Sequence, residues 1–82
     1  MRMKNYLIST PNPTEDNFTL SINSDLDNAL LEIFNILGER IFTKKLYNRL
    51  EIVNCKEFLS GIYIIKLSIE GKIHMQKLIV NK

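Results

Sequence analysis

The sequence predicts an all-β domain, a small antiparallel sandwich or barrel, and three observations predict it. Apolar and polar residues alternate with period two along most of the 82 residues. The alternating runs are short and are bounded by Gly, Pro, Asn or Asp. The last of them, "GIYIIKLSI" and "KIHMQKLIV", are joined by Glu70-Gly71, a connection short enough for a tight hairpin in which Gly71 supplies a positive φ.

Taken in order, the chain opens with a lead-in or linker, residues 1–10, before Pro11-Asn12-Pro13-Thr14 breaks it. Each proline fixes φ and disfavours α geometry in the residue before it. In "NFTLSIN", Phe18, Leu20 and Ile22 alternate with Thr19 and Ser21 as in a half-buried strand, and "SDLDN" reads as a loop. The run "ALLEIFNILG" fits two periods. Leu30, Ile33, Phe34 and Leu37 match one face of a helix, with Gly38 as a stop, whereas Ala29, Leu31 and Ile33 alternate as in a strand. Periodicity on its own slightly favours the helix and does not decide. "RIFTKKL" reads as a strand after a turn at Gly38, and "LEIVNC" as a short one after Tyr47-Asn48-Arg49. The final pair places Tyr63, Ile65, Leu67 and Ile69 on one face, and His74, Gln76, Leu78 and Val80 on one face of its partner. The expected core is Phe18, Leu20, Leu31, Ile33, Val53, Tyr63, Ile65, Leu67 and Leu78.

Composition narrows the function. With 45% apolar and 24% charged residues the chain has the balance of a folded domain. A net charge of +2 is too small to imply a nucleic-acid or anionic-membrane partner. No apolar run approaches the ~18 residues of a membrane span, and Tyr6-Leu7-Ile8 is short of the ~7 residues of a signal-peptide core. Reactive groups are scarce. His74 is the single imidazole and sits mid-strand, at a surface or edge position; Cys55 follows Val53 at strand spacing and reads as a small core residue. One Cys and one His fall short of a zinc site. Asp25, Asp27 and Glu32 lack the spacing of a calcium loop and read as a polar turn. Arg40, Lys44, Lys45 and Arg49 have no glycine-rich loop or aromatic platform beside them to make a phosphate or nucleic-acid site. Asn17-Phe18-Thr19 matches a glycosylation triplet, which chance explains. No catalytic residue, cofactor or metal is expected, and the chain reads as a module that is recognised.

Four segments, in this order and spacing, resemble the C-terminal sorting domain of the type IX secretion system in its type A form. "PNPTEDNFTLSI" is similar to the family's Pro-Asn-Pro entry into a first strand. "LEIFNILGERIF" is similar to its strand, aromatic-Asn-apolar-apolar-Gly turn and second strand. "FLSGIYIIKL" resembles the Leu-Ser-Ser-Gly-Ile/Val-Tyr motif, and "GKIHMQKLIV" the terminal Gly-Lys strand that ends in Lys-Leu-apolar-apolar. The resemblance runs from Pro11 to Lys82. It departs from the family at Thr10, where Tyr is common, at Phe58, where Leu is usual, and at His74, where an aromatic is usual.

The resemblance implies a small immunoglobulin-like sandwich of about six or seven strands over residues 11–82, with a strand over Ala29–Leu37 in place of the helix. It implies sorting-motif residues Pro11, Asn12, Pro13, Gly38, Gly61, Tyr63, Gly71, Lys77 and Leu78, with a tight turn at Gly61. It implies a non-catalytic address at the end of a cargo protein, read in the periplasm by the outer-membrane translocon. A surface sortase usually removes it, leaving the cargo on the outer-membrane surface or secreted. On the residues alone, a small fibronectin-like binding or adhesion module is the alternative, with Tyr47 as its clearest exposed aromatic.

Overall fold

Residues that alternate along the sequence alternate between core and solvent in the computed structural model, which describes residues 6–9, 16–23, 26 and 28–82. Seven strands are present among these residues: β1 Tyr6–Ser9, β2 Asn17–Ile22, β3 Leu30–Asn35, β4 Arg40–Lys45, β5 Leu50–Asn54, β6 Gly61–Ile69 and β7 Lys72–Val80. They form two antiparallel sheets, one ordered β1-β2-β5 and the other β4-β3-β6-β7. The lead-in thus contributes β1, which pairs with β2 from Tyr6↔Ile22 to Ser9↔Thr19. Pairing of β2 with β5 and of β3 with β6 makes the chain change sheets after β2, β4 and β5. The two sheets therefore share one core, as a β-sandwich requires.

That core contains all nine residues expected in it. Phe18, Leu20 and Val53 enter from the three-stranded sheet, and Leu31, Ile33, Tyr63, Ile65, Leu67 and Leu78 from the four-stranded one. Cys55 is fully buried among them, as its strand spacing predicts. The same cluster gains Ala29, Leu46 and Phe58 from the connections. Burial of a Leu, Ile or Phe side chain is worth roughly 1.5–3 kcal/mol, so this cluster is the main source of stability.

The ambiguous run is a strand. β3 lies between β4 and β6: Leu31 and Ile33 point to the core, while Leu30 and Phe34 are half-buried on the outer side. Apolar residues on both faces of a central strand reproduce helical spacing. The choice is made by ladders to partners distant in sequence, such as Leu31↔Leu67 and Ile33↔Ile65.

Two turns fix the ends of this sheet. Between β3 and β4, the Asn35 side-chain oxygen accepts the N–H of Leu37 at 2.9 Å and of Glu39 at 3.0 Å, and Gly38 takes φ +84°. Between β6 and β7 a two-residue turn has φ +52° at Glu70 and +75° at Gly71, the doubly left-handed backbone that matches the twist of a hairpin.

Candidate functional site

The motif residues fall at two ends of the four-stranded sheet. The register Asn35↔Tyr63↔Leu78 and the pair Gly61↔Val80 gather Tyr63, Leu78, Gly61 and the Gly38 turn at one end. Gly71 lies at the other, next to the pair Ile69↔Lys72. Lys77 is exposed on the outer face of β7, opposite Ile64. Pro11, Asn12 and Pro13 lie outside the described residues, as do Asp25 and Asp27 of the polar loop.

Tyr63 organises the end that carries most of the motif. Its ring is buried in β6 and its hydroxyl donates to the Leu59 carbonyl at 2.5 Å, holding the β5–β6 connection against the sheet. Phe58 from that connection packs 5.2 Å from the Tyr63 ring and 6.3 Å, edge on, from Phe42 of β4. A cavity of about 300 Å³ opens here between Asn35, Ile41, Glu57, Phe58, Leu59 and Tyr63. Exposed Ile36, Leu37 and Leu59 stand on the two connections beside it.

The expected turn at Gly61 is found earlier in the chain. The N–H of Phe58 donates to the Cys55 carbonyl at 3.0 Å, and Gly61 is the opening residue of β6, at φ +159°. A side chain there would meet nothing within 4 Å, so what favours glycine is that positive φ and not a lack of space.

The C-terminal residue fastens the same connection. Lys82 donates its backbone N–H to Ser60 Oγ at 3.0 Å, and its Nζ to the carbonyls of Cys55, at 3.0 Å, and of Lys56. The carbonyls of this turn thereby gain a cation, that of Cys55 in addition to the N–H of Phe58, and Lys82 is tied to the Leu-Ser-Gly segment. Sequence reading does not pair Lys82 with Ser60, because 22 residues separate them and only the β6–β7 hairpin brings them together.

None of this assembles reactive chemistry. Burial pushes the Cys55 thiol above its ordinary pKa, against a weaker opposite pull from Lys82, so the reactive thiolate is disfavoured. His74 is half-buried on β7, an edge strand. The basic residues of this stretch each have a partner within the chain: Arg40 reaches Glu32 at 3.0 Å, Lys44 reaches Glu51 at 2.9 Å, and Lys45 lies 6.0 Å over the exposed Tyr47 ring. Among the described residues no group of three or more His, Cys, Asp or Glu is placed to hold a metal ion, and no helix is long and apolar enough to cross a membrane.

Residues 10–81 match the model of a family described as secretion system C-terminal sorting domain. The chain is also 38% identical, over 73 residues, to the ulvan lyase NLR42 of Nonlabens ulvanivorans. That alignment takes in 87% of this chain and 14% of the lyase. The chain therefore spans about a seventh of the length of this relative.

Proposed function

Because the chain belongs to the family of secretion system C-terminal sorting domains, a signal for sorting and not a catalyst, we propose that it is the address of a larger exported protein, carried through the type IX outer-membrane translocon. The observation that carries this reading is the family match over residues 10–81, in a chain that corresponds to 14% of a relative named as a lyase. The remaining length in such a protein is the cargo, and the sandwich is what the export machinery reads. The domain travels through the periplasm folded, and a surface sortase removes it as the cargo reaches the outer-membrane surface or the medium. A folded address suits the molecule: shared ladders and a common core hold loops and strand edges in fixed positions, so that recognition costs little ordering. The motif residues Gly38, Gly61, Tyr63, Gly71 and Leu78 act in this reading mainly by building that shape, while Lys77 stands exposed on it and Pro11, Asn12 and Pro13 belong to the address as part of its sequence motif.

A reporter with an ordinary export signal, joined ahead of the whole chain so that β1 is kept, tests it. The reporter should reach the surface or medium of a type IX-competent bacterium and stay periplasmic in a strain without the translocon. Delivery in both strains, or in neither, would overturn the reading.

A further inference from the structure

The outer face of the four-stranded sheet is unusual for a sheet that faces water, which normally presents polar residues there. Register places Ser68↔Ile73, Lys66↔Met75, Ile64↔Lys77 and Ile62↔Ile79 side by side on β6 and β7. Ile62, Ile73, Met75 and Ile79 are all exposed. Lys45, Arg40, Lys66 and Lys77 lie on the same face by their pairings with Leu30, Phe34, Glu32 and Ile64. Against these four cations stands one carboxylate, Glu32, at 8% exposure, which Arg40 reaches at 3.0 Å and Lys66 at 3.9 Å. The face is therefore apolar along β6 and β7 and carries a net +3 (four minus one). The three-stranded sheet differs: Thr19↔Ile52 and Ser21↔Leu50 mark its outer side, and no charged residue of β2 or β5 shares that parity.

We infer that this outer face is a docking surface for a protein of the export machinery that presents an apolar patch with acidic residues around and within it. The inference rests on the sorting role proposed above and adds which surface is read. Exposed apolar area rimmed by charge marks an interaction site, and the sign of the charge selects the partner. A second copy of this chain would bring the same cations against each other. A lipid surface fits poorly too, because Lys77 stands between Met75 and Ile79 on one strand, and sinking that row into an apolar layer buries an unpaired charge. A protein carboxylate opposite Lys77 removes that cost.

The reporter fusion with the full chain provides the test. Met75→Glu and Lys77→Glu are compared with Ile52→Glu on the other sheet, a fair control because Met75 and Ile52 are 64% and 65% exposed. Thermal melts of each purified variant confirm folding. Surface delivery should fall about tenfold or more for Met75→Glu and Lys77→Glu, as for loss of a central interface contact, with Lys77→Arg and Ile52→Glu close to the parent. Folded Met75→Glu and Lys77→Glu delivered like the parent would overturn the docking surface while leaving the sorting role intact. Failure of the parent itself overturns both. A loss confined to Leu37→Glu, at the loop end, also overturns it. So does a concentration-dependent dimer in sedimentation that Met75→Glu dissolves, which assigns the face to a second copy. Co-sedimentation of the domain with phosphatidylglycerol vesicles, abolished by the same changes, would overturn it in favour of a membrane surface.

Discussion

The β3–β4 and β6–β7 hairpins are built side by side in one sheet and are shaped by different means. The first closes through side-chain chemistry, with Asn35 accepting from two backbone N–H groups and donating to Glu39 Oε1 at 2.9 Å, and with a register shift after Ile33 that leaves Ile41 as an extra residue. The second closes through backbone conformation alone, two consecutive left-handed residues and an unbroken register from Gly61↔Val80 to Ile69↔Lys72. A turn made by side-chain hydrogen bonds tolerates irregular strands. A turn made by φ demands particular residues, and here one of them is Glu70, which pays a steric cost that glycine avoids. Their outer strands are also fastened differently: β4 by the ion pair of Lys44 with Glu51 across to the other sheet, β7 by Lys82 on the β5–β6 connection.

The largest test asks whether the hairpins are separate units at all. Leu67 is fully buried on β6, between Leu31 of β3 and His74 of β7. Leu67→Ala should cost about 2–5 kcal/mol, transfer and cavity together, a large share of the stability of so small a domain. Hydrogen exchange should accelerate in β2 and β5 as much as in β6 and β7. Protection that survives in one hairpin would break the picture of a single cooperative core.

The turn of the second hairpin gives the next effect. An L-residue at a left-handed position costs about 1–2 kcal/mol, and a Cβ at Gly71 meets no atom within 4 Å. Gly71→Ala should lower stability by that backbone term alone, measured by urea unfolding. An unchanged midpoint would show that the turn relaxes to another type.

These two hairpins also mark what could be read from the sequence. The β6–β7 pair was legible to the residue, Gly61–Ile69 and Lys72–Val80, because its alternation, its turn and its partner are all local. The β3 strand was not legible from periodicity, since a central strand apolar on both faces imitates a helix; family resemblance supplied what local pattern lacked. The contacts of Tyr63 with Leu59 and of Lys82 with Ser60 stayed hidden because nothing in the sequence pattern signals either pairing. The outer face behaved differently again. Ile73, Met75, Lys77 and Ile79 were visible as one side of a strand, but the four cations share a surface only because β4, β3, β6 and β7 lie in that order.

Asn35→Ala sharpens the contrast from the other hairpin. It removes the acceptor for two exposed backbone N–H groups, which water can replace, so the expected loss is about 1 kcal/mol. Asn35→Asp keeps the accepting oxygen but sets a second carboxylate against Glu39 Oε1, so it is made together with Glu39→Gln, and the double variant should stay near the parent in a thermal melt. Equal losses for the two variants would move the explanation to the Nδ2 bond with Glu39. Glu70→Asn should act in the opposite direction, raising stability by roughly 0.5 kcal/mol, because Asn enters the left-handed region more readily than Glu. A destabilised Glu70→Asn variant would show that φ does not limit that turn.

The smallest effect concerns the fastening of β4. Lys44 donates to Glu51 Oε2 at 2.9 Å and holds the Glu51 carboxyl below the ordinary carboxylate pKa, against a smaller upward push from burial, with help from Asn48 at 3.3 Å. Since the folded state releases this proton at lower pH than the unfolded chain, the unfolded chain binds more protons between the two values. The contribution is thus complete above the unfolded pKa, near 4.3, and is lost as pH falls through the folded one. Lys44 is half exposed, so the pair is worth only about 0.2–1 kcal/mol. Glu51→Gln should lower the melting temperature slightly at pH 7 and not at all near pH 2, narrowing the acid dependence of the parent. The Lys82 clamp on β7 involves carbonyls and no carboxylate, so Lys82→Met should lower the melting temperature by the same amount at both pH values. Identical pH profiles for Glu51→Gln and the parent would mean that β4 is held by its ladder to β3 and that the ion pair contributes nothing.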